Sequence, residues 1–132
     1  MNKLVARYTD GRTVKGTTFD FSPAKDHFHI TAASPEQGSN PTAVYTKDLK
    51  AVFFVKDFDG DPGHVEKREF DAPPPPGELR IGAIFKDGEI MIGTTPGYRA
   101  GGSGFFLVPA DSQSNNERCY VVSTATREVR FM

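Results

Sequence analysis

Two histidines separated by one residue, His27-Phe28-His29, are the first candidates for chemistry in this chain. On a strand they share a face, because alternate side chains point the same way. Phe28 and Ile30 then face inward and the imidazoles outward. Two imidazoles can share a metal, but no third ligand follows at metal-site spacing, so a solvated strand face is expected. Asp57-Phe58-Asp59-Gly60-Asp61 has the look of a calcium loop. Counted from Asp57, the sixth and twelfth positions are Pro62 and Arg68, where such a loop needs Gly and Glu, so an acidic turn is expected. Gly101-Gly102-Ser103-Gly104 lacks the Lys-Ser/Thr and the following helix of a phosphate-cradling loop, and reads as a hairpin loop. Ser, His and Asp occur at no spacing that places a triad. These readings argue against an enzyme and imply no cofactor and no metal.

Binding chemistry is better represented. Ser114-Asn115-Asn116-Glu117-Arg118 is a polar segment dense in hydrogen-bonding groups, and loops on a rigid scaffold often bind. The alternative is a connecting turn in which Asn supplies turn geometry. We single out Asn115, Asn116, Glu117 and Arg118 as binding candidates, with Phe53 and Phe106 as apolar anchors. Phe53-Phe54-Val55 and Phe105-Phe106-Leu107 break strict alternation. Either both strand faces are buried between two units, or an apolar patch is left for a partner. The single cysteine, Cys119, allows no disulfide within the chain and reads as a small buried hydrophobe.

The elements that must position these residues come in two sets. DGRTVKGTT at residues 10–18 and DGEIMIGTT at residues 87–95 are nearly the same nine letters. Sliding the chain by 77 residues gives eleven identities, among them Asp10/Asp87, Gly16/Gly93, Phe28/Phe105 and Phe54/Phe131. Residues 1–55 and 78–132 therefore read as two copies of one unit. Asp-Gly between extended runs signals a hairpin, with Gly taking the positive φ of a primed turn. Strands are predicted at Leu4–Tyr8, Thr13–Thr18, Phe28–Ile30, Ala43–Tyr45 and Ala51–Val55. The second copy gives Arg80–Phe85, Ile90–Thr95, Phe105–Val108, Cys119–Val122 and Glu128–Phe131. Gly16 and Gly93 inside their strands predict a bend. Helix is nearly absent, with at most a turn at Thr46–Lys50 and at Ala125–Glu128. Five short strands with a bent second strand predict a small barrel in each copy, closed so that no edge is exposed.

Residues 56–77 differ from both copies: they are acidic and end in Asp71-Ala72-Pro73-Pro74-Pro75-Pro76-Gly77. The prolines favour an extended spacer. His64–Phe70 reads as an extended segment clipping the two units together.

The hairpin resembles the first motif of Sm-like small barrels. Its carriers are Asp10, Gly11, Arg12, Val14, Gly16, Phe19 and Asp20; the second copy keeps Asp87, Gly88, Met91 and Gly93 and has Pro96-Gly97 in place of Phe19-Asp20. The Sm asparagine before the third strand and the Arg-Gly pair of the second Sm motif are absent, so the resemblance implies a fold and not an RNA site. The stretch GFFLVPADSQSNNERCYVV also resembles segments of uncharacterised bacterial proteins.

The net charge of −1 offers no basic surplus of the kind nucleic-acid binders use. The reading is an all-β protein of two tandem five-stranded barrels: residues 1–55, a linker at 56–77, and residues 78–132. Its expected role is a non-catalytic cytoplasmic interaction or adaptor module that binds protein, or itself, through sheet edges or the Asn-rich loop. The Phe53–Val55 and Phe105–Leu107 faces are then expected to be too large to bury within one monomer. A second reading is an RNA- or nucleotide-binding Sm-like pair, with Arg12, Lys15, Lys25 and Lys50 contacting phosphates. A third is a small-molecule sensor, which needs a polar pocket between the two units. No apolar run approaches the ~18 residues of a membrane helix, so no membrane partner is expected.

Overall fold

The computed structural model describes residues 2–32, 41–58, 63–65, 70, 73–99, 101–111 and 113–132. They are all-β. The strands are β1 Asn2–Tyr8, β2 Thr13–Thr18, β3 His27–Ala32, β4 Thr42–Tyr45, β5 Leu49–Val55, β6 Leu79–Phe85, β7 Ile90–Thr95, β8 Gly104–Pro109, β9 Asn116–Val122 and β10 Thr126–Phe131. The turn expected at Thr46–Lys50 is a 3₁₀ turn at Thr46–Asp48; the one expected at Ala125–Glu128 lies earlier, at Ser123–Ala125, and Thr126–Glu128 belong to β10.

The strands form a single antiparallel sheet in the order β10-β6-β7-β8-β9-β5-β1-β2-β3-β4. Two separately closed barrels are therefore not what the chain builds. The free edge of β5 is taken by β9 of the other half, with Val52 opposite Tyr120 and Phe53 opposite Cys119. Pairing across the halves satisfies those backbone groups where closure was expected to do so. Among the described residues two edges have no strand neighbour, β4 at one end and β10 at the other.

Both Asp-Gly hairpins have the same construction, though not the expected one. Gly11 donates to the Tyr8 carbonyl at 3.1 Å, and Tyr8 donates to the Arg12 carbonyl at 2.8 Å. Gly88, Phe85 and Glu89 repeat this at 2.9 and 2.8 Å. Only the glycines have positive φ, 95° and 93°. A primed turn needs positive φ at Asp as well, so these are three-residue loops: a type I turn followed by a left-handed glycine. Asp10 and Asp87 stabilise them by accepting from the backbone N–H two residues on, each at 3.0 Å.

At Gly16 the backbone of β3 comes so close that a Cβ would lie 2.0 Å from the Thr31 carbonyl oxygen; at Gly93 it would lie 2.0 Å from that of Val108. Each strand pairs with this neighbour over only two residue pairs, Gly16↔Ala32 and Thr17↔Thr31, or Gly93↔Pro109 and Thr94↔Val108.

Two cores result, and each contains residues of both halves. Leu4, Phe28, Ile30, Val44, Val52 and Phe54 are joined by Tyr120 and Val122. Ile81, Phe85, Phe105, Leu107, Cys119 and Val121 are joined by Val5, Ala51, Phe53 and Val55. Alternate residues of β5 serve opposite cores, which is why the whole strand is buried. Burying a large apolar side chain is worth roughly 1.5–3 kcal/mol, so this exchange binds the halves firmly.

The linker touches both halves where it is described: Phe58 meets Lys3 and Lys15 of the first, and later residues meet the second. His64 Nε2 lies 2.8 Å from the buried Asp111 carboxylate, and the Arg80 guanidinium lies 4.6 Å from the Phe70 ring centroid. Residues 63–65 and 70 belong to no strand. The rest of the expected clip, residues 66–69, lies outside the described residues, as do Asp59, Gly60 and Asp61 of the acidic turn.

Candidate functional site: a cleft across the seam

Where β5 and β9 meet, the two halves leave a cleft of about 260 Å³. The segment after β5, the start of β9, one face of β1 and β2, and the β6–β7 hairpin form its walls. Arg7 and Lys15 supply positive charge, Glu89 a carboxylate shared with Lys50, Asn115 and Asn116 amides, and Val5, Val55 and Ile90 apolar surface.

Arg7 is held by strand pairing on both sides, opposite Thr13 and opposite Ala51. Its guanidinium lies over the Phe53 ring at 5.6 Å. The Nε is buried and finds no hydrogen-bond acceptor among the described residues. Lys15 donates from Nζ to the Phe58 carbonyl at 3.1 Å.

The Asn-rich segment divides. Asn115 is a bracket: Nδ2 donates to the Asp57 carbonyl at 2.8 Å, and Oδ1 accepts from the Asp57 N–H at 3.1 Å. The backbone of Asn116 donates to Ser114 Oγ at 3.1 Å, and the residue lines the cleft. Glu117 is exposed. Arg118 stands on the other face, its guanidinium 4.5 Å from the Phe54 ring and 4.7 Å from the Phe106 ring.

The apolar anchors are not free surface. Phe53, Phe54, Val55, Phe105 and Leu107 are buried within the single chain, and Phe106 is half-buried beneath Arg118. The expectation that these faces exceed what one monomer buries is overturned: both sides of β5 and β9 are covered because the two cores share these strands.

The four proposed phosphate contacts do not converge. Arg12 pairs with Asp10 at 2.7 Å and lies 4.5 Å from the Tyr8 ring. Lys15 is in the seam cleft, while Lys25 lines a different cavity beside Tyr45. Lys50 is 6% exposed and committed to Asp87 and Glu89. Hydrogen bonds from Lys50 and from the Glu89 backbone hold the Asp87 carboxyl below its usual range.

His27 and His29 face outward, their rings 5.5 Å apart, with each Nδ1 2.7 Å from a carboxylate oxygen, of Asp26 and Asp20 respectively. The His29 ring and backbone N–H lower the Asp20 pKa to about 2. Among the described residues no group of three or more His, Cys, Asp or Glu is placed to hold a metal. No helix among them is long and apolar enough to cross a membrane.

Arg7 was not legible as a site residue, nor were Asp87 and Glu89 as the partners of Lys50. One signal did exist for the bridge: the second hairpin tip carries Glu89 where the first carries Arg12, a charge reversal that complements Lys50.

Fold and cleft together describe an all-β chain whose two halves share one sheet, with a polar cleft on the line where they join. The chain belongs to DUF6982, a family of unknown function, which it matches over residues 1–132. No curated protein and no solved structure gives a significant match.

Proposed function

We propose that this chain is a non-catalytic interaction module that recognises its partner by strand addition, the first partner being another copy of itself. One observation carries the reading. Residues 77 apart hold matching places in the sheet: β10-β6-β7-β8-β9 in one half and β5-β1-β2-β3-β4 in the other. Inside the chain β5 of the first half pairs with β9 of the second. The two open edges, β10 and β4, are the counterparts of those two strands. A copy placed head to tail thus offers the same pairing. The register follows from the internal seam: Glu128 opposite Val44, Val129 opposite Ala43, Arg130 opposite Thr42.

The open edges are tempered for this role. β4 has only four residues and follows Pro41, while β10 carries Arg127, Glu128 and Arg130. Short, charged edges resist indiscriminate pairing. Selectivity then comes from matching charge. The counterpart of the internal Lys50–Asp87 pair is Arg127 against Asp10 of the next copy. A heterologous contact of this kind closes into a ring or runs on as a filament.

The reading treats the halves as copies of one Sm-like unit, supported by the hairpin letters and the common strand order, and places the module in the cytoplasm. Sedimentation velocity across a concentration series tests it. Species larger than a monomer, growing with concentration and receding in high salt, are expected. A monomer at every concentration would refute self-association.

A further inference from the structure

We infer that the seam cleft is a binding site for a small oxyanion-bearing molecule with a short apolar body. Arg7 makes the case. Its Nε is buried without an acceptor, and no carboxylate lies within ion-pair distance of its guanidinium among the described residues. Asp87, which feels the Arg7 charge, and Glu89, which lines the cleft, are both engaged by Lys50. A half-buried guanidinium with an unbonded Nε and no direct ion pair is costly to hold unless an acceptor arrives.

The surroundings define that something. Lys15, whose Nζ has one bond to the Phe58 carbonyl, adds a second cation with donors to spare. Asn116 adds an amide to the cleft lining. Val5, Val55 and Ile90 leave an apolar side for the body of the ligand. At about 260 Å³ the space suits a molecule of one ring, not a dinucleotide or a folded peptide.

The site belongs to the seam inside the chain and has no counterpart at the open edges. The positions matching Arg7 and Lys15 are Ile84 and Ile92, both uncharged. The inference therefore stands or falls separately from edge pairing.

The test is a titration of the full chain with benzoate, phenyl phosphate, inorganic phosphate and benzyl alcohol, read by NMR at the Arg7 Nε–H and the Asn116 side-chain amide. At least one aromatic anion is expected to shift both signals while benzyl alcohol shifts neither, and the tighter of the two anions names the oxyanion. Arg7→Met keeps the aliphatic cover on Phe53 and is expected to weaken binding about tenfold, the loss of a charged hydrogen bond. Lys15→Met changes an exposed residue and is expected to weaken it about threefold, so the test survives a poorly folding Arg7 variant. Anions that leave the Arg7 signal unmoved would overturn the site, as would substitutions that leave affinity unchanged. Inorganic phosphate binding as tightly as phenyl phosphate would overturn the apolar body.

Discussion

The Lys50 ammonium on β5 sits 2.7 Å from the Asp87 carboxylate in the β6–β7 hairpin, joining the first half of the chain to the second. Glu89 accepts from the same ammonium, and the Phe85 ring lies 4.7 Å from it. The lysine side chain is only 7% exposed, whereas the two carboxylates are about half exposed.

That asymmetry sets an order of severity. Lys50→Met leaves two carboxylates that water reaches, and methionine retains packing on Phe85, so about 1 kcal/mol is expected to be lost. The pair Asp87→Asn and Glu89→Gln strands a buried cation, and about 3 kcal/mol is expected to be lost. Urea unfolding measures both. Equal losses would show that the ammonium is not buried as described.

Gly16→Ala and Gly93→Ala should each destabilise by about 3 kcal/mol, because the new methyl meets a carbonyl that cannot retreat without moving a strand. The informative result is that the two penalties match. A tolerated alanine at either position would mean that the strands do not come so close there.

Asp20 gives the fold a pH dependence. Its carboxyl is pulled from 3.8 to about 2 by hydrogen bonds from the His29 side chain and backbone. The folded value is the lower one, so the stability it contributes is present above about pH 4 and is lost as pH falls through about 2. Thermal unfolding of the wild type should therefore weaken more over that interval than that of Asp20→Asn. Parallel curves would remove Asp20 from the account.

A charge swap tests the pairing proposed for the open edges. Arg127→Glu should weaken self-association severalfold, and Asp10→Lys in the same chain should restore part of it. Both residues are exposed; Asp10→Lys also gives up the turn bond from the Arg12 N–H, a local loss. A double variant no better than the single one would deny that these residues meet.

Much of this architecture was legible because it depends on spacing. The identical offset of glycines and apolar residues gave both halves, and nine of the ten strands begin within two residues of their predicted starts. Cys119 is buried, with Sγ 3.5 Å from the Leu107 carbonyl oxygen, as a lone cysteine in an apolar run suggests. What spacing does not encode is which edge meets which. β5 pairs with β9 through sixty and more intervening residues, and no local pattern distinguishes that from closure within one half. The same gap hid Arg7: its importance comes from Phe53 beneath it and an Nε with no acceptor among the described residues, both products of tertiary placement. Asn115 was found as a polar loop residue, but its bonds to Asp57 make it a brace as well as part of the cleft wall.

The sharpest trial of the edge-pairing proposal is disulfide trapping between two separately made variants, Ala43→Cys and Val129→Cys. Directly opposed strand residues lie close enough for a disulfide. Mixing the two under mild oxidation is predicted to give a covalent dimer joining position 43 to position 129, while each variant alone stays largely uncrosslinked. Equal crosslinking in the mixture and in the single variants, or none at all, would contradict head-to-tail pairing in this register.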